Sequence, residues 1–212
     1  MAAEQPKTDT VMKFHLNKNQ DLNTECTLSV ATGDTLMDGF KAASGKASGN
    51  FFEVHDFEFG MSLKQQEDDN QSKKPKPDSD LGAFALWRSA TDSQYKDAVK
   101  GYPLEFDKFS LKRTIDCVSP IFFQNCLSST SFSSATLVKR VAPGGEQAVV
   151  GFLRIDFTDV LLTGIDWADG DLVSESIDFI CKKMVIQLKT QGADGTLTAP
   201  KSITWNPTQK TP

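Results

Sequence analysis

Long stretches in which apolar and polar residues alternate constrain the fold of this 212-residue chain more than any other feature. In the stretch TVMKFHL, Met12, Phe14 and Leu16 alternate with charged neighbours, which is the period-two pattern of a β-strand. Similar stretches follow at residues 51–63, 104–115, 135–167, 171–190 and 203–208. Between these stretches the sequence offers short turns, such as APGGEQ, whose Pro and two Gly favour a tight reversal. The pattern predicts a mainly β fold built around a small antiparallel barrel or sandwich.

Both faces of several predicted strands are apolar, and this has consequences for assembly. A barrel core covers one face of a strand, so the other face needs a second partner, which a neighbouring subunit could supply. The face that carries the apolar residues changes within residues 51–63 and again between Cys181 and Met184, as a β-bulge would cause. The chain contains 15 Phe and only 2 Tyr, which predicts a core packed mainly by phenylalanine.

Composition excludes some functional classes. The net charge of −5 and the pI of about 5.1 make nucleic acid an unfavourable main partner. The first ten residues, MAAEQPKTDT, lack the apolar run of a signal peptide, and no stretch is apolar enough to insert into a membrane. We therefore expect a protein that is folded in the cytoplasm and, if secreted, leaves by a route that needs no signal peptide.

The stretch DCVSPIFFQNCLSS raises the question of whether its two cysteines perform chemistry. Ser119 and Pro120 predict a helix start, with the Ser hydroxyl as N-cap and Pro in the first turn. On that helix Cys126 falls in an apolar stripe with Phe122, Phe123 and Leu127, which predicts a buried and inert thiol. A redox pair or a metal half-site formed with Cys117 is the alternative, but zinc sites usually use closer cysteine spacing.

Other candidate sites have equally simple explanations. His55 and Asp56 are adjacent in a predicted strand, so their side chains point to opposite faces and cannot form a catalytic pair. The acidic run at residues 166–171 lacks the Glu spacing and the flanking helices of an EF-hand and is typical of an acidic turn. We expect no catalytic residues, no metal site and no cofactor.

Residues 64–102 interrupt the strands and read as an insertion in a single domain spanning residues 1–212. The run 64–80 is highly charged and contains no large apolar side chain, so it cannot order itself by burial. Residues 81–101 return to an apolar composition that allows one or two short helices, making the insertion long and partly helical. Earlier in the chain, residues 25–50 begin as a possible strand and continue as a loop rich in Gly, Ser and Lys.

The order of these segments resembles a known family. The strand end FEFGMSL is followed by LEFDKFSLKRTIDCVSPIFFQNCLSS, then by the hairpin ATLVKRVAPGGEQAVVGFLRIDFTDVLLTGIDW, then by VSESIDFICKKMVIQL and ITWN. This series is similar to the haemolysin-coregulated protein (Hcp) family, the inner-tube subunit of bacterial type VI secretion. It covers residues 51–63 and 104–206, a little over half of the chain.

The resemblance implies a phage-tail-tube-like β-barrel with one flanking short helix, and no enzymatic activity. It also implies hexameric rings that stack into a tube, are driven by a contracting sheath, meet the spike of the machine and carry effectors in the lumen. The insertion at 64–102 replaces the shorter, glycine-rich extended loop of the family. An alternative is therefore a monomeric binding barrel, an effector carrier that does not polymerise; a third class is an enzyme fused to a tube subunit.

The insertion also supplies the candidate interface residues. Phe84, Leu86 and Trp87 form a compact apolar group just beyond the charged run. Exposed groups of this kind often mark contacts, and Trp is enriched where binding energy concentrates. We expect residues 81–100 to pack on a neighbouring subunit or the next ring, with residues 64–80 as a tether; the alternative is that Leu86 and Trp87 fold back on their own barrel.

Overall fold

A computed structural model describes residues 8–18, 20–63, 104–106, 108–142, 149–190 and 198–205. The chain divides into two compact units, one formed by Met1–Glu58 with Lys108–Pro212 and the other by Phe59–Asp107. In the described part of the second unit, strands β5 (Met61–Leu63) and β6 (Leu104–Phe106) form an antiparallel pair.

The first unit is mainly β, as the alternation predicts. Its described strands are β1 (Thr8–Asn17), β2 (Gln20–Asp21), β3 (Phe52–Glu53), β4 (Asp56–Glu58), β7 (Phe109–Thr114), β8 (Phe132–Val141), β9 (Val150–Ala168), β10 (Ser174–Leu188) and β11 (Lys201–Trp205). Its described helices are α1 (Ser119–Leu127) and one 3-10 turn, Thr35–Met37. Within the described ranges, no helix is both long and apolar enough to cross a membrane.

The sheet closes on itself through a short segment that contains β3 and β4. The order runs β2-β1-β8-β9-β10-β7-β4, all neighbours being antiparallel, and β11 pairs with β10 beside β7. β3 pairs with β1, and β4 pairs with β7. Between them the amide of Val54 donates to the carbonyl of Thr10 and the amide of His55 to that of Lys112, both at 2.8 Å. The ladder therefore returns from β7 to β1, which makes the predicted small antiparallel barrel with one flanking helix.

Phenylalanines fill the barrel, as the composition predicts. Phe14 on β1 lies 5.0–6.1 Å, between ring centroids, from four other rings, those of Phe52, Phe122, Phe132 and Phe179. The cluster continues from Phe179 to Phe109 and Phe157 at 4.8 and 5.1 Å. Most of these pairs meet edge to face, the arrangement that the aromatic quadrupole favours.

A second apolar layer covers the outside of β1, β8 and β9. Residues 22–51 wrap this face and bury Leu36, Met37 and Phe40 against Val11 and Val138. The approach is close: a Cβ on Gly151 of β9 would lie 3.0 Å from both Leu36 Cβ and Val138 Cγ1. The possible strand within 25–50 does not form; this segment is instead held by its 3-10 turn and by isolated bridges such as Thr24 with Gly49.

Several segment boundaries differ from the expectations. Residues 51–63 are divided into β3, β4 and β5, and residues 104–115 into β6 and β7, so each predicted strand is broken where the chain changes neighbours. The APGGEQ turn falls almost entirely outside the described residues. Helix α1 begins one residue earlier than the cap pattern predicts. Ser119 is already helical, and Val118 occupies the cap position, its amide donating to Asp116 Oδ1 at 2.9 Å.

The predicted change of face in β10 is present and has a counterpart in β9. Phe179 and Met184 would point to opposite faces of a regular strand, yet both are buried. The inward face of β10 therefore switches between them, near Lys182. Opposite, Phe157 and Val160 are both buried, and Asp159 between them has φ 52°, the left-handed conformation that Asp tolerates better than most residues. A separate shift of the β9–β10 register lies earlier, between Asp178 and Phe179.

Candidate assembly surface

The interface residues expected from the sequence, Phe84, Leu86 and Trp87, lie outside the described residues. Among the described residues, the candidates for an assembly surface are the large apolar side chains that the first unit leaves exposed. These form two groups at opposite ends of the β9–β10 hairpin, and one isolated residue, Ile180, lies between them on β10.

The first group, here called the tip patch, lies where α1 meets the closed end of the hairpin. It consists of Phe123, Leu127, Trp167 and Leu172, which are 46%, 74%, 52% and 71% exposed. The rings of Phe123 and Trp167 touch, with centroids 5.7 Å apart. Leu127 is one helical turn beyond Phe123 on the same side of α1. An exposed group that contains Trp and Phe has the composition of a protein contact.

The tip patch corrects part of the helix prediction. Phe122 is fully buried in the barrel, as the apolar stripe predicts. Phe123 and Leu127, assigned to the same stripe, face outward, and Cys126 is only half-buried rather than buried. One side of the apolar stripe therefore packs in the core, and the other side lies at the surface. The large width of the stripe is the sequence feature that could have predicted this.

A buried ion network fixes α1 and Trp167 to the barrel. Arg113 on β7 is 1% exposed, and its guanidinium lies over the ring of Phe52 at 4.1 Å. It pairs with Asp116, and its Nε lies 3.4 Å from Oε2 of Glu175, a fully buried carboxylate on β10. Buried charges of this kind are tolerated only where they are paired and hydrogen-bonded.

Glu175 connects this pair to the patch. Its Oε1 accepts a hydrogen bond from Trp167 Nε1 at 2.8 Å, and its Oε2 accepts one from the Ser119 hydroxyl at 3.0 Å. Ser119 thus points inward to the carboxylate, which explains why it does not cap the helix. Because one side chain holds both the first turn of α1 and the indole of Trp167, the tip patch has a fixed geometry before any partner arrives.

The second group, here called the base patch, lies at the open end of the hairpin. Leu188 on β10 is 41% exposed and Ile203 on β11 is 70% exposed. Leu188 pairs with Lys201 and Ile186 with Ile203, and directly opposed residues point to the same face of a sheet. Leu188, Ile203 and Lys201 therefore share one face, and Lys201 provides a positive charge beside the two apolar side chains.

The two ends differ in charge. The turn beside the tip patch carries Asp166, Asp169 and Asp171, all exposed, as expected for the acidic turn in the sequence. The base patch has Lys201 on its own face. An apolar surface with an acidic rim at one end and one with a basic rim at the other are complementary in sign.

The cysteines show no arrangement for chemistry in the part of the chain that the structure describes. Cys117 is exposed, and its thiol points to the carbonyl of Asn23 at 3.7 Å. Burial raises the pKa of Cys181 to about 11, which keeps this thiol protonated and unreactive. Within the described ranges no group of three or more His, Cys, Asp and Glu side chains is placed to hold a metal ion.

The histidines also have structural roles. His55 lies at the barrel closure, with its Nε2 2.8 Å from the hydroxyl of Thr114, and it is exposed. His15 pairs with Asp21 on β2. Burial lowers the pKa of His15, and this effect outweighs the opposing attraction of Asp21. On the same strand burial, followed by repulsion from Arg154, lowers the pKa of Lys13, whose Nζ lies 4.8 Å from the centroid of the Phe40 ring.

Comparison with known proteins identifies solved structures that have the same fold. No protein-family model matches the chain, and none of the curated proteins matches it. Solved structures do match: one described as a type six secretion system protein has a TM-score of 0.57 and 14% identity, over 94% of this chain and 96% of its own. A crystal structure of an Hcp protein has a TM-score of 0.56 and 8% identity, over 94% and 98%. The chain has the Hcp fold.

A third solved structure with the same fold comes from Pseudomonas aeruginosa. The secreted protein Hcp3 from Pseudomonas aeruginosa matches with a TM-score of 0.52 and 10% identity, over 94% of this chain and 98% of its own. The three matches each span nearly the whole of both chains, so the fold expected from the sequence resemblance is confirmed. At these identities the likeness concerns the fold alone.

Proposed function

We propose that this protein is a structural subunit of the inner tube of a type VI secretion machine, and not an enzyme. The observation that carries the proposal is the whole-length match to the Hcp fold, over 94% of this chain and 96–98% of the matched chains. In this role the chain forms hexameric rings, and the rings stack into a tube that carries effectors in its lumen.

The surface chemistry of the described residues supports a role in assembly. The tip and base patches expose large apolar side chains, and in the tip patch these are held in place by a buried ion network. Rigid aromatic and aliphatic groups lose little conformational entropy on binding, which favours their use as contact anchors. The protein partners in this proposal are further copies of the chain, the sheath and spike proteins of the machine, and its effectors.

Native mass spectrometry of the purified protein tests the proposal, together with negative-stain electron microscopy of the same sample. We expect a hexameric mass and ring-shaped particles. The competing function is a monomeric effector carrier with the same barrel. A single monomeric species at high protein concentration, with no rings in the micrographs, would contradict the tube proposal and favour the carrier.

Export is proposed to follow assembly in the cytoplasm. The subunit would leave with the tube, by the contraction of the machine and without a signal peptide. The measurement is the amount of this protein in the culture medium of a strain with an intact machine and of one with the sheath gene deleted. Equal amounts in both media would contradict this route.

A further inference from the structure

The two exposed patches differ from each other, and this difference indicates how copies of the chain meet. The tip patch combines four apolar side chains with an acidic turn, and the base patch combines two apolar side chains with Lys201. They are separated by the length of β10 from Glu175 to Leu188, roughly 40 Å at about 3.3 Å per residue. One subunit therefore cannot cover its own tip patch with its own base patch.

We infer that the tip patch of one subunit binds the base patch of the next, and that this head-to-tail contact closes the ring. The inference rests on the proposed function, because its occupant is a second copy of this chain. It deepens that function by naming the two surfaces, neither of which is in the segment expected from the sequence to form the contact.

Charge decides between this pairing and its alternatives. A two-fold contact that joins tip to tip would bring Asp169 and Asp171 of both copies together, and like charges placed opposite one another oppose association. A tip-to-base contact places these carboxylates near Lys201 of the neighbour instead. A two-fold contact would also bury only one of the two patches and leave the other exposed. A heterologous contact uses both patches of every copy, and it gives a closed ring when the rotation between copies closes.

The geometry at each end suits such a contact. At the tip, Glu175 holds the indole of Trp167 through a hydrogen bond, and Phe123 packs beside it, so the apolar surface is rigid. At the base, β11 is a short strand whose Ile203 stands 70% exposed next to Leu188. A fixed aromatic surface against an aliphatic one buries apolar area with little loss of side-chain freedom.

Two variants, each of which disables one patch, test the inference. The tip variant replaces Leu127 and Leu172 by Lys, and the base variant is Ile203→Glu. These side chains are 70% or more exposed, so the barrel should keep its circular dichroism spectrum and melting temperature. The matched control is Ile180→Lys, which places a charge on an exposed apolar residue outside both patches.

In native mass spectrometry we expect the control to form hexamers like the wild type. Each patch variant alone should remain monomeric at concentrations at least tenfold above those at which the wild type assembles. Mixed in equal amounts, the two variants should form a heterodimer and nothing larger, because the mixture contains one intact tip and one intact base that can meet. This heterodimer distinguishes a head-to-tail contact from general loss of solubility or folding.

The outcomes separate this inference from the proposed function. Two results would overturn the inference and leave the tube function standing. One is that either patch variant forms hexamers at the wild-type concentration. The other is that the mixture of variants stays monomeric while the wild type forms hexamers. A wild type that is monomeric at every concentration would overturn the tube function, and the inference with it.

Discussion

The buried ion network provides the most demanding prediction about stability. Arg113 and Glu175 are 1% and 0% exposed, and Glu175 also accepts hydrogen bonds from Ser119 and Trp167. Removing one charge leaves the other in a site that excludes water. Replacing both by apolar side chains removes the two uncompensated charges together. We therefore expect the double variant Arg113→Met with Glu175→Leu to be more stable than either single variant.

The magnitudes follow from the contacts at the site. Glu175→Leu leaves the Arg113 guanidinium with Asp116 as its remaining charge partner, and Arg113→Met leaves a buried carboxylate with two neutral donors. Loss of one partner of a buried pair costs about 3–5 kcal/mol, so each single variant should lose about that much. In the double variant the remaining cost combines the Ser119 and Trp167 donors that have lost their acceptor with the partly exposed Asp116 carboxylate that has lost Arg113. That cost is about 1–3 kcal/mol, since Trp167 is half-exposed and can turn to water.

Urea unfolding at one fixed protein concentration, followed by circular dichroism, measures these free energies. Lys182→Met is the control, because the Lys182 pair with Asp159 is exposed and such pairs contribute about 0–1 kcal/mol. If the two single losses add in the double variant to within about 0.5 kcal/mol, the two residues are not coupled, and the network does not hold α1 and Trp167 as described.

Three further results are expected. Trp87→Ala should leave the monomer with a near-wild-type circular dichroism spectrum and a modest fall in melting temperature while ring or tube formation fails; an unfolded monomer or unchanged assembly would show that the insertion is not a contact. In the native protein a bulky thiol reagent should label Cys117 much faster than Cys181, whose raised pKa and burial suppress the thiolate; equal rates measured by mass spectrometry would contradict the placement of these thiols. The pKa of His15 is lowered below its usual value of about 6.5, so the unfolded chain binds the proton more readily and stability should fall as pH drops through about 6.5. His15→Gln should flatten this fall in urea unfolding series, and a variant with the wild-type slope would assign the pH dependence to other groups.

The barrel strands could be predicted because the residues that face the core recur with period two, although on β1 the outer layer also buries the opposite face. On β1 and β7 the residues that alternate in the sequence, such as Phe14 and Leu111, are the residues that point into the core. Strand breaks were not predictable from the pattern. In the closing segment, β3 pairs with β1 at Phe52, whereas β4 pairs with β7 from Asp56 onward. Such a change of neighbouring strand leaves the alternation of residue types nearly intact.

The outer layer and the ion network could not be predicted from the sequence, for two different reasons. Leu36, Met37 and Phe40 have the spacing of a single helical turn, which is too short for a periodic pattern to mark them as buried. Arg113 and Glu175 belong to residue types that are almost never fully buried unless paired, and their pairing joins positions far apart in the chain. The tip patch depends on that pairing, so its fixed shape could not be read from α1 alone.

The change of face at Asp159 and Lys182 explains how one hairpin can serve both the core and the two ends. Strands β9 and β10 are longer than the average strand, and a slip of one residue sends every later side chain to the other face. Because both strands switch at facing positions, Phe179 and Met184 of β10 point inward, as do Phe157 and Val160 of β9. Without the switch, one half of the hairpin would present its apolar residues to the outside. The left-handed conformation of Asp159, where a β-branched residue would be strained, therefore keeps the hairpin in a single core while its two ends project as the tip and base patches.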